Sequence, residues 1–136
     1  MSGERNVVSA WNAINIQTEG DLMAWTEWRL LMSREEWFSA ILDYDGPACY
    51  ELGTGGRRGG AIEIHYVGET SNEKSRMSCY GQSGSHLAEV IAGHLKRGWH
   101  IWYRAMALPS KEAAVAMQNN LLQRYRYDWN DLLNRD

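Results

Sequence analysis

At 136 residues, with 44% hydrophobic and 23% charged side chains, the chain has the make-up of one folded domain around a single core. No apolar run approaches the roughly 18 residues of a membrane span, and no signal-peptide pattern opens the sequence. The net charge of −3 speaks at first against a nucleic-acid partner, but the first 51 residues hold nine acids against three bases, whereas the remainder holds eleven bases against eight acids. A basic face for phosphate is therefore permitted in the C-terminal part.

Residues 1–18 show no clear period and read as an irregular arm. From Asp21, the positions Leu22, Trp25, Trp28, Leu31 and Met32 recur at helical spacing and predict an amphipathic helix. Ser33 with Glu36 predicts a capping box opening a second helix to about Leu42. After Asp45-Gly46-Pro47 the period becomes two: ACYEL and AIEIHYVG read as strands joined by the loop GTGGRRGG. A short helix from Glu73 to Tyr80 follows, then one from His86 to Arg97 that Ser85 can cap and Gly98 ends. WHIWYRAMAL reads as a third strand, and Pro109-Ser110 opens the last helix, with Asn130 just past it. The expected fold is α+β: a three-stranded antiparallel sheet flanked by helices (46–136) behind an N-terminal arm and helical extension (1–45).

Several chemistries are absent. The Gly-rich loop fails the dinucleotide and Walker templates, because Arg58 stands where a glycine is needed and no GK[ST] follows. No HExxH, EF-hand or Cys/His zinc spacing occurs. Cys49 and Cys79 form no CxxC pair and read as reduced packing thiols of a cytoplasmic protein. What remains is a set of dispersed polar side chains: Tyr50, Tyr66, Gly68, Arg76, Tyr80, Gln118 and Asn130.

In ACY and HYVG, followed by Arg76 eight residues past Gly68 and Tyr80 one helical turn later, the sequence resembles the GIY-YIG nuclease family. The resemblance implies a DNA endonuclease that hydrolyses phosphodiesters with a divalent metal, Mg²⁺ or Mn²⁺. Tyr50, Tyr66, Arg76, Tyr80, Gln118 and Asn130 would form the site, and DNA would be the partner of a monomer or homodimer. One phenol would orient or deprotonate water, Arg76 would meet a non-bridging phosphate oxygen, and Gly68 would let the substrate approach. Arg57, Arg58, Lys74, Lys96 and Arg97 are the expected backbone contacts to DNA.

The family's metal glutamate corresponds to Gln118, twelve residues before Asn130. A neutral amide binds a hard cation poorly. The simplest reading is an engineered Glu→Gln replacement that stops cleavage while keeping the fold, and a naturally inactive descendant is the alternative. Three departures accompany it. Ala48-Cys49 replace the start of the first motif, and fifteen residues separate Tyr50 from Tyr66, a longer gap than is usual. Ile64 stands where many members carry lysine. The competing functions are a non-catalytic DNA-binding module and a protein-interaction domain working through the Trp-rich N-terminal helices.

Overall fold

A computed structural model describes residues 7–9, 24–33, 44–56, 59–80 and 87–133. In chain order they form β1 (Val7–Ser9), β2 (Arg29–Met32), β3 (Ala48–Gly56), β4 (Gly59–Thr70), α1 (Glu73–Tyr80), α2 (Ala88–Lys96), β5 (His100–Ala107), α3 (Lys111–Arg124) and α4 (Asp128–Leu133). The strands make one antiparallel sheet in the order β1-β4-β3-β5-β2, so the fold is α+β as expected.

The strand count is five where the sequence suggested three, because the N-terminal segment supplies both edges. Val7–Ser9, expected to be irregular, pairs with Ala61–Glu63. The helix expected over Trp25–Met32 is not formed: Trp25 bridges to Met106, and Arg29–Met32 is a strand along β5. Spacing by three misled here because β2 carries a register shift between Leu30 and Met32, which breaks the two-residue alternation. Pairing with the unsatisfied edge of β5 outweighs local periodicity. The second expected helix lies outside the described residues, as do Arg57, Arg58, Ser85 and His86.

The helices of the C-terminal part follow from their caps. Asn72 Oδ1 accepts from the Ser75 amide at 2.9 Å and Ser110 Oγ from Ala113 at 3.0 Å, each satisfying an N–H that the first turn leaves open. α2 begins at Leu87 without a side-chain cap. It ends as predicted at Gly98, whose φ of 94° turns the chain so that Trp99 N–H reaches His94 O at 3.0 Å. α4 was not foreseen.

Alternation along β3 divides the core in two. Tyr50 and Leu52 join Ile101, Tyr103 and Ala105 beneath Met77 and Tyr80 of α1 and Ile91 of α2. Cys49 joins Val67, Trp102 and Met106 beneath Ala114 and Leu121 of α3. Burial pushes the Cys49 thiol well above its ordinary range, as suits a packing residue. Glu51, fully buried between the apolar neighbours, accepts from Arg104 Nε at 2.8 Å and from the Tyr127 hydroxyl at 2.6 Å. The Arg104 guanidinium lies 4.3 Å from the Trp25 ring centroid and 5.0 Å from that of Trp28. These indoles therefore cover a buried ion pair. They do not present the Trp-rich helical surface expected of a protein-interaction domain.

Candidate active site

The register of the hairpin β3–β4 creates the site. Tyr50 faces Gly68, and Leu52 faces Tyr66, so the two tyrosines lie diagonally on one face with ring centroids 6.1 Å apart. Beyond this point the ladder shifts, Gly53 pairing with Ile64 and passing over His65. This bulge offsets the alternation of β4: Tyr66 packs under α1, while Ile64 and Val67 join the α3 cluster.

α1 closes over the pair. The Tyr80 hydroxyl lies 2.7 Å from that of Tyr50, and their rings meet edge to face with centroids 6.2 Å apart. Arg76, four residues earlier and half-buried, falls on the same helix face. Burial raises the Tyr50 phenol well above its ordinary range, the Tyr80 and Tyr66 oxygens add to the rise, and the Arg76 charge opposes it. Burial also raises Tyr66, but there hydrogen bonding from Tyr50, the Arg76 charge and hydrogen bonding from Tyr80 all favour the ionised form. Burial outweighs them, and the Tyr66 phenol stays above its ordinary range; at 7% exposure it is the most accessible of the three.

Gly68 has a packing role. A Cβ there would stand 2.5 Å from the Tyr50 hydroxyl and 2.9 Å from Tyr66 Cε2. The room that was expected to admit substrate is filled by Tyr50.

Asn130 is engaged with the backbone. Its side chain accepts from Val67 N–H and donates to Val67 O, both at 2.9 Å. Among the described residues β1 pairs with Ala61–Glu63, and the Asn130 amide gives Val67 the donor and acceptor that a neighbouring strand would give. It thereby fixes the residue between Tyr66 and Gly68. α4 packs along β4: Tyr127 joins the α3 cluster and Trp129 the α1 and α2 cluster.

Gln118 is half-buried on α3, whose packed residues Ala114 and Leu121 belong to the face opposite the tyrosines. Lys74, Lys96 and Arg97 are exposed on α1, on α2 and at the end of α2.

The sequence reading missed a second polar group. His65 Nδ1 lies 2.8 Å from Asp128 Oδ1, His65 Nε2 lies 2.9 Å from Thr54 Oγ1, and the ring stacks on Trp129 at 4.7 Å. No spacing announces this group, since a bulge and an unforeseen helix assemble it. The Glu51 pair left one trace, a lone acid within the apolar run ACYEL.

The GIY-YIG domain-containing proteins match residues 44–136. The chain belongs to the GIY-YIG family. Its small antiparallel sheet flanked by helices is that of a GIY-YIG domain, from a nuclease superfamily. The chain is also similar to Protein EFFECTOR OF TRANSCRIPTION 2 of Arabidopsis thaliana, 26% identical over 147 residues, covering 77% of this chain. It spans 30% of that relative's length. No solved structure matches.

GIY-YIG nucleases are generally metal-dependent, and the donors present can be tested against that requirement. The position that the sequence resemblance assigns to the metal ligand offers the neutral amide of Gln118. Among the described residues no three His, Cys, Asp or Glu side chains gather to hold an ion. This donor set does not fit a firmly held divalent cation, which needs carboxylate oxygen. No helix among the described residues is long and apolar enough to cross a membrane.

Proposed function

We propose that this chain is a DNA endonuclease domain of the GIY-YIG type whose cleavage chemistry is silenced at Gln118, so that in this form it engages DNA without cutting it. The observation that carries the reading is the junction of Tyr50, Tyr66 and Tyr80 beside Arg76, whose charge acts on both strand tyrosines. Arg76 presents a guanidinium to a non-bridging oxygen of the phosphodiester, where negative charge accumulates during attack. Tyr66, with the Tyr50 and Tyr80 hydroxyls beside it, orients the attacking water by hydrogen bonding. Asn130 acts through Val67 as a positioning residue.

A second reading, a DNA-binding module without catalysis, is favoured by Gln118 itself. The name of the Arabidopsis relative suits it, because an effector of transcription has use for a domain that holds DNA intact.

A paired assay separates the two. Binding and nicking of one duplex are measured for the chain and for Gln118→Glu, with EDTA, Ca²⁺ or Mg²⁺. The silenced-nuclease reading expects both forms to bind DNA in EDTA, the chain at least as tightly because it lacks a charge that repels phosphate. Ca²⁺ should tighten only Gln118→Glu, and only that variant should nick with Mg²⁺. Brisk cutting by the unaltered chain would mean that Gln118 is not the silenced position. A Gln118→Glu form that binds but never nicks would favour the module.

A further inference from the structure

An open cleft of about 270 Å³ lies toward the other end of β3, lined among the described residues by Thr54, Ala61, Glu63, His94, Arg97 and Trp99. The register places it on the face that carries Tyr50: Tyr50, Leu52 and Thr54 alternate on β3, opposite Ala105, Tyr103 and Ile101 of β5. Thr54 is four residues from Tyr50, roughly 13 Å along the strand.

The lining has the parts of a nucleotide site. Trp99 is 49% exposed, an unusual place for an indole, and the turn at Gly98 fixes the backbone that carries it. An exposed indole at a cleft mouth is a stacking platform for a base. The exposed Arg97 beside it supplies charge for the phosphate.

The cleft wall also has a polarity. Asp128 Oδ1, 2.8 Å from His65 Nδ1, accepts from that nitrogen and leaves Nε2 as the acceptor for Thr54. Thr54, which lines the cleft, then donates to Nε2 at 2.9 Å, and its oxygen keeps the capacity to accept. Glu63, whose Oε1 is 3.9 Å from Nε2, adds a carboxylate that only accepts. Two adjacent acceptors call for adjacent donors. Of the four DNA bases, guanine alone has two neighbouring donors, N1–H and the 2-amino group, on its Watson–Crick edge.

We propose that this cleft takes one unpaired guanine of a DNA strand, stacked on Trp99, with Glu63 and Thr54 accepting from its Watson–Crick edge and Arg97 on its phosphate. The inference rests on the reading of the domain as DNA-binding and specifies its substrate: DNA with an extruded or single-stranded base, held on the same sheet face as the tyrosine site.

The test is fluorescence anisotropy with a paired duplex and with the same duplex carrying one bulged G, A, C or T, each in EDTA. The bulged G should bind tightest. Trp99→Ala should weaken that complex roughly 5- to 150-fold and leave the paired duplex unchanged. Glu63→Ala, which removes one of the two acceptors, should reduce the preference for G over A. Trp99 and Glu63 are exposed, so both variants should keep the parent melting temperature. Equal binding of paired and bulged DNA, indifferent to Trp99→Ala, would overturn the cleft and leave the nuclease-type reading standing. Absence of binding to any of these DNAs would overturn both.

Discussion

Replacing Gly68 by alanine tests the tyrosine site with one methyl group. The added Cβ would stand 2.5 Å from the Tyr50 hydroxyl, 2.6 Å from its Cζ and 2.9 Å from Tyr66 Cε2. Ordinary contact begins near 3.4 Å, so the Tyr50 ring must retreat by nearly 1 Å. It has little room, being 1% exposed and bonded to Tyr80 at 2.7 Å. Overpacking of this kind costs about 1–3 kcal/mol, and a stretched buried hydrogen bond adds about 1 kcal/mol. A loss near 2 kcal/mol lowers the melting temperature of a domain of this size by roughly 6–10 °C. The loss should be read by urea denaturation and by DNA binding, because displaced phenols disturb the surroundings of Arg76. Tyr50→Phe in the same chain should rescue only partly: it removes the hydroxyl clash but leaves the contacts at Cζ and Cε2. Gly93→Ala is the control, since its Cβ would meet only Arg97 Nη1 at 3.7 Å, and inside α2 alanine should stabilise by about 0.5–1 kcal/mol. A Gly68→Ala protein with the parent's denaturation midpoint and DNA affinity would refute the claim that this glycine exists to seat Tyr50.

Arg76→Ala in the Gln118→Glu background should lower the cleavage rate about 10²–10³-fold while DNA affinity falls far less, measured by nicking kinetics beside anisotropy; equal losses would make Arg76 an ordinary phosphate contact. Asn130→Ala should cost about 1–3 kcal/mol and speed hydrogen exchange at the Val67 amide, since both of its bonds hold that residue; unchanged exchange there would show that the clasp is idle. Glu73 is 2% exposed, and burial raises its carboxyl from 4.5 to about 7, the Arg29 charge opposing the rise. Its folded value exceeds its unfolded one, so its contribution is complete below pH 4.5 and is lost as pH rises through 7. Glu73→Gln should therefore match the parent at pH 4 and exceed it at pH 8 by up to about 3 kcal/mol in urea denaturation; an equal effect at both pH values would sink the assignment.

The sequence by itself determined what depends on near neighbours. Alternation in ACYEL and AIEIHYVG specified the two strands of the hairpin, and in β3 each residue's face follows from its parity. Asn72, Ser110 and Gly98 set helix ends through bonds that span a few residues. The spacing of Gly68, Arg76 and Tyr80 was legible because a helix converts eight and four residues into a direction. Tertiary structure decided where partner strands outweighed local pattern. Arg29–Met32 has helical spacing but covers the edge of β5, whose backbone groups needed partners. The bulge at His65 is a property of two strands in register, and neither strand alone encodes it. Asn130 has no local reason to grip Val67, 63 positions away; it does so because α4 packs along β4. Glu51 meets Arg104 across 53 positions only once β3 and β5 are paired, and Trp25 and Trp28 then cover the charge. Periodicity reports which way a side chain faces along its own element, whereas register, bulges and edges are set by elements far away in sequence that must share their hydrogen bonds.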